Sequence, residues 1–126
     1  MIINTSNAPA PIGPYSQAVL VNGTLYISGQ ICLDPSSGNL KNRDIQDETH
    51  QVMQNLRNIL LEAKMNFSNV VKTTIFLTNM NSFSEVNEIY AKYLEGIFPA
   101  RETVQVSALP RLVNVEISMI AVKTES

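Results

Sequence analysis

The hydrophobic period of this chain switches back and forth between a helix-like and a strand-like repeat, and that restricts the fold more than any single motif does. From Asp44 onward, Ile45, Thr49, Val52, Met53, Leu56, Ile59, Leu60 and Ala63 fall on one arc of a helical wheel with polar residues opposite, the pattern of a helix lying on a core. Asp44 is placed to cap it, and Asp47 and Glu48 suit the positive end of the helix dipole. Ahead of it, YSQAVLV and TLYISGQI read as strands joined by Asn22-Gly23, a pair that tolerates positive φ at both hairpin positions. Behind it, VVKTTIFLT carries too many β-branched residues in succession for a comfortable helix. Ser82-Phe83-Ser84-Glu85 reads as a capping box opening a second helix, with Phe83, Val86, Ile89, Tyr90, Tyr93 and Leu94 inward and Gly96 at its end. Two last strands, RETVQVSA and LVNVEISMIAV, close the chain around Leu109-Pro110-Arg111.

The order ββαβαββ predicts an α+β fold, a single sheet with two helices packed on one face. Residues 4–14 hold three prolines and read as an extended lead-in. No linker, low-complexity tract or short repeat interrupts residues 1–126, so one domain is expected.

Several function classes drop out. The net charge is −2, with 9 Lys and Arg against 11 Asp and Glu, and no basic stripe offers a grip on phosphate backbones. Apolar runs fall well short of the roughly 18–20 residues of a membrane span. MIINTSNAPAPIGP lacks the basic and apolar regions of a secretory signal. Cys32 is the lone cysteine, which precludes an internal disulfide and fits a reducing compartment, so a cytoplasmic location is expected. One histidine and one cysteine cannot build a zinc site of the usual type. His50 lies outside the apolar arc and reads as a surface residue. The glycines at 13, 23, 29, 38 and 96 are scattered and spell no phosphate cradle.

What remains is polar residues in strands that ought to be apolar. Arg101, Thr103, Gln105 and Ser107 share one face of their strand, opposite Glu102, Val104, Val106 and Ala108. In the last strand Asn114, Glu116 and Ser118 stand opposite Val113, Val115, Ile117, Met119 and Ala121. If these strands pair as a hairpin with Thr103 opposite Glu116, Arg101 and Glu116 share a face; an even residue sum separates them, and the alternation does not choose. Ser28-Gly29-Gln30 interrupts its strand, which marks a bulge, a close approach or a strand end. Tyr15 follows the rigid Ile12-Gly13-Pro14 turn, where it can roof a pocket or pack.

In order and spacing, IGPYSQA, YISGQI, VVKTTIFLTNMNSF, FPARETVQV and VEISMIAV resemble the RidA (YjgF) family of reactive-intermediate deaminases over roughly residues 3–123. The resemblance implies a chorismate-mutase-like homotrimer with clefts between subunits. It also implies hydrolysis of 2-enamine and 2-imine acids such as 2-aminoacrylate to 2-oxo acids and ammonia, the reaction of a 2-iminobutanoate/2-iminopropanoate deaminase, with no cofactor or metal. Arg101 matches the family's carboxylate-binding arginine and Glu116 the acid beside the attacking water. Tyr15, Ser28, Gly29 and Asn81 match pocket-lining positions. Thr103 departs from the cysteine common in bacterial members, which removes thiol chemistry there but leaves a hydroxyl able to donate to substrate or water. Two other readings stay open: a trimeric module that binds a small carboxylate without turnover, and an activity on RNA or translation, against which the acidic balance counts.

Overall fold

The structure, a computed structural model, describes residues 1–124. Its strands are β1 (Ile2–Ile3), β2 (Ala18–Val21), β3 (Thr24–Gln30), β4 (Val70–Leu77), β5 (Ala100–Gln105) and β6 (Val115–Val122), with helices α1 (Ile45–Glu62) and α2 (Phe83–Leu94). The turn between β2 and β3 forms as its residues require, with φ of 50° at Asn22 and 80° at Gly23. Asp44 caps α1, its carboxylate accepting from the Asp47 N–H at 2.7 Å. The expected capping box at Ser82 does not form. A 3-10 turn over Met80–Ser82 runs straight into α2, so Ser82 already has helical backbone angles and its side chain makes no capping bond.

The sheet order is β1-β2-β3-β6-β4-β5. β4 and β5 are parallel with α2 between them, and β6 is antiparallel to both β3 and β4. The expected hairpin of the last two strands is therefore corrected: β5 never touches β6, because β4 lies between them. The reason is the connection. A strand followed by a helix returns most readily to a parallel position beside its own start, here the edge of the sheet next to β4. The long segment after β5 then carries the chain back to fill the gap between β3 and β4.

Both helices pack on one face of the sheet and on each other. Leu25, Leu56, Ile59, Leu60, Ile75, Leu77, Val115 and Ile117 are wholly buried there, and truncating one such leucine to alanine costs about 2–5 kcal/mol. The other face carries no helix and keeps Val19, Tyr26 and Val104 partly exposed. Among the described residues no helix is long and apolar enough to cross a membrane.

Three polar side chains hold these layers in register. Glu48, expected to serve the helix dipole, is wholly buried. It accepts from the backbone N–H groups of Asn114 and Val115 at 2.7 and 2.8 Å and from the Asn114 amide at 2.9 Å, pinning the entry of β6 to α1. Asn55 donates to the carbonyls of Ile31 and Leu33. Gln17 grips the proline-rich lead-in through Thr5, Ala8 and Pro9. His50 differs from expectation as well: it is half-buried, and its Nδ1 lies 3.0 Å from the Tyr93 hydroxyl, with Arg57 over the Tyr93 ring.

Candidate functional site

Cross-strand partners share a face, so the register assigns each candidate a side. Thr73 of β4 pairs with Arg101 and with the core residue Met119. Arg101 therefore stands on the helix-covered face, at the edge of the sheet. Phe76 of β4 pairs with Val104 and with Glu116, which puts Glu116 on the open face. Thr73 and Phe76 are an odd number of residues apart along one strand, so within a single chain Arg101 and Glu116 point to opposite sides.

Around Arg101 the chain builds a cradle of neutral groups. One guanidinium N–H donates to the Asn87 amide oxygen at 2.7 Å. The guanidinium carbon lies 5.3 Å from the Tyr90 ring centroid and 5.6 Å from that of Phe83, within the range of attraction between a cation and a ring face. Tyr90 in turn donates from its hydroxyl to Thr73 at 2.9 Å. Burial pushes the Tyr90 phenol above its ordinary range, opposed by the Thr73 bond and the nearby Arg101, so it stays a donor. The ion pairs among the described residues are Lys41–Asp34 and Lys72–Glu102; neither involves Arg101, so its charge is not neutralised from within. A groove of about 300 Å³ opens beside it, lined by Asn87, Tyr90, Ala91, Phe98, Pro99 and Arg101.

The second constellation lies on the open face. Ile27 pairs with Met119 but Gln30 with Ile117, so Ser28 and Gly29 together oppose Ser118 in a bulge. A side chain at Gly29 would put Cβ 2.6 Å from Glu116 Oε2 and 2.8 Å from its Cδ. The glycine thus leaves the space in which the carboxylate lies, the close approach its position in the strand implied. Burial pushes the Glu116 carboxyl above its usual range. Ser28 Oγ donates to the Ser16 carbonyl at 2.6 Å, tying the bulge to the segment that carries Tyr15. Ile12, Tyr15, Ser28, Gly29, Ile31, Pro110 and Glu116 line a cavity of about 400 Å³.

The structure thus brings together Tyr15, Ser28, Gly29 and Glu116, and sets Arg101 apart from them. Thr103 lies two residues along β5 from Arg101 on the same face, its hydroxyl oxygen buried and without a hydrogen-bond partner. Asn81 is exposed in the turn before α2 and lines neither groove. The amide beside Arg101 is Asn87, which the sequence reading missed. Its signal was legible: with Phe83, Tyr90 and Leu94 it repeats at the four-three-four spacing of a single helix face, a polar residue set inside an apolar stripe. Among the described residues no group of three or more histidine, cysteine, aspartate or glutamate side chains could hold a metal.

Comparison with known proteins matches this chain along nearly its whole length. The model of the family described as Endoribonuclease L-PSP matches residues 5–123. A mouse protein named 2-iminobutanoate/2-iminopropanoate deaminase is 55% identical over 122 residues, 97% of this chain and 90% of the relative. A Yersinia pestis protein of the conserved Rid family, YyfA, superposes with a TM-score of 0.95 at 53% identity, covering 98% of both chains. Escherichia coli TdcF, crystallised with bound serine, superposes with a TM-score of 0.94 at 35% identity over 98% of this chain and 99% of its own.

Proposed function

The chain belongs to the Endoribonuclease L-PSP family, the RidA (YjgF) family of the sequence reading, and from that premise we propose that it hydrolyses 2-imino acids, formed by tautomerisation of 2-enamines, to 2-oxo acids and ammonia. The activity draws support from curated relatives at 50–55% identity that carry the name 2-iminobutanoate/2-iminopropanoate deaminase. The observation that carries the site is the placement of Arg101 and Glu116 on opposite faces of one sheet, each beside its own open groove.

A site using both residues needs two copies of the chain, with Arg101 of one copy facing the Glu116 cavity of a neighbour. Such a head-to-tail contact repeats around a closed ring, and the family resemblance implies that the ring is a homotrimer with clefts between subunits. The partly apolar open face, with Val19, Tyr26 and Val104, supplies surface for burial in such an assembly. Arg101 takes the substrate carboxylate in a planar two-point contact that a lysine cannot reproduce. Glu116 accepts a proton from water as the water oxygen bonds to C2 of the iminium. It then returns that proton to the nitrogen. The C–N bond breaks with loss of ammonia while Glu116 takes the remaining hydroxyl proton, and the C2–O bond becomes the carbonyl of the 2-oxo acid. That proton passes on to the departing ammonia. Its raised pKa makes it a stronger base than an exposed glutamate, and a positioned base of this kind contributes about 10²–10⁴-fold. Tyr15 and Ser28 close the wall of the cavity. Cys32, buried and unpaired, fits a reducing cytoplasm.

Mixing tests the shared site. Arg101→Lys and Glu116→Gln proteins are each expected to be nearly inactive. Co-assembled in equal amounts, about a quarter of the sites combine an intact Arg101 half with an intact Glu116 half, so activity should recover to roughly that fraction. No recovery after demonstrated subunit exchange sinks the shared site, and a stable, fully active monomer in sedimentation does the same. Ammonia release from freshly generated 2-aminoacrylate separates hydrolysis from mere binding of a small carboxylate. Salt-dependent binding of RNA by the purified protein would favour the reading that the family's description names.

A further inference from the structure

Among the described residues, the amide of Asn87 is the only side chain hydrogen-bonded to the Arg101 guanidinium, and it is neutral. An arginine at the rim of a groove has five N–H donors and is commonly satisfied by an acid. Here one donor goes to an amide, two aromatic faces fix the plane of the group, and the rest stay free beside the groove. The framework behind it is stiff. Tyr90 is itself tied to Thr73, and Thr73 is the register partner of Arg101 across β4 and β5.

We propose that Asn87 is a positioning residue: it orients the Arg101 guanidinium and, by being uncharged, keeps its charge available to a substrate carboxylate. This deepens the proposed function and rests on it. The geometry makes Asn87 both an orienter and a safeguard. An acid at the same position would reach the same N–H, add a second acceptor oxygen and form an internal ion pair that competes with substrate for the fork. An alanine would leave the charge free but let the side chain swing.

These roles predict an order that a simple tether between α2 and β5 reverses. Asn87→Asp keeps the acceptor and adds attraction, so a tether would be kept or strengthened, whereas Asn87→Ala would lose it. Under our proposal Asn87→Asp is the more damaging change. Calorimetric titration with 2-oxobutanoate should show binding weakened about tenfold or more in Asn87→Asp and less in Asn87→Ala. In ammonia-release kinetics Asn87→Asp should raise KM with kcat near wild type, because saturating substrate displaces the internal acid. Asn87→Ala should lower kcat, because the bound imine is held in several orientations. Asn87→Ser offers a shorter neutral acceptor should the alanine protein fold poorly, and it should bind 2-oxobutanoate better than Asn87→Asp.

Wild-type affinity in Asn87→Asp, or affinity above that of Asn87→Ala and Asn87→Ser, overturns the proposal. Wild-type protein that neither binds 2-oxobutanoate nor releases ammonia, or Arg101→Lys protein that binds it normally, defeats the underlying site reading instead, and the proposal falls with it. The two failures are thus told apart by the wild-type and Arg101→Lys titrations alone.

Discussion

On the helix-covered face, Arg101 is held by an amide and two ring faces, while on the open face Glu116 lies over the bare backbone of Gly29 with no cationic partner among the described residues of its own chain. The first environment fixes where a charge points without cancelling it. The second withdraws a carboxylate from water without offering it a counter-ion, and so raises its pKa. An anchor needs the first and a base needs the second. Within one chain the two groups stand on opposite faces, so Arg101 does not pair with the Glu116 carboxylate of its own chain.

The comparison is broken most forcefully at Glu116. Glu116→Gln keeps size and hydrogen bonding but cannot take a proton, so kcat should fall about 10²–10⁴-fold while affinity for 2-oxobutanoate holds. Weak binding with normal turnover would make Glu116 a structural group. In wild type, kcat/KM should decline on the acid side as pH drops through a value above the ordinary glutamate range, a limb that Glu116→Gln lacks. The same shift has a sign in stability. Because the folded pKa lies above the unfolded one, the stability tied to the protonated form is fully present below the unfolded pKa and lost as pH rises through the folded value. Glu116→Gln should therefore melt above wild type at neutral pH, and the gap should close in acid.

Arg101→Lys comes next. Losing a charged, two-point hydrogen bond costs about 1.5–3 kcal/mol, or one to two powers of ten in kcat/KM, with the fold intact. Wild-type turnover would remove the arginine from the site. Gly29→Ala is expected to cost about tenfold in kcat, because the intruding Cβ pushes the far end of a flexible side chain rather than backbone. In a Glu116→Gln background it should cost little more, and an undiminished penalty there would deny that Gly29 acts through Glu116. The smallest effect belongs to Tyr90→Phe, which strands the Thr73 hydroxyl beneath the arginine. A loss of about 1–2 kcal/mol in denaturant melts is expected, with part recovered by adding Thr73→Val.

Much of this was legible beforehand in particular residues. The Asn22-Gly23 turn, the Asp44 cap and the two amphipathic stripes are local devices, set by side chains within a few residues of one another, and they form as read. Ser82 failed for a local reason that single residues do not disclose: Asn79 nucleates a turn just ahead of it. Gly29 announced a bulge or an approach, and the structure holds both. Glu48 and Gln17 were unreadable, since their partners lie in the backbone of distant segments.

By itself the sequence determined the alternation of elements, the one-sided helices and, through short motifs in a common order, the family. Periodicity also settled that Arg101 and Thr103 share a face of their strand, because side chains alternate on any strand whatever lies beside it. Which strands became neighbours was left to the tertiary structure. Strand pairing depends on how crossovers pack over the core and on which gap the last strand fills, and those are properties of the whole chain. That choice, β4 between β5 and β6, put Arg101 and Glu116 on opposite faces.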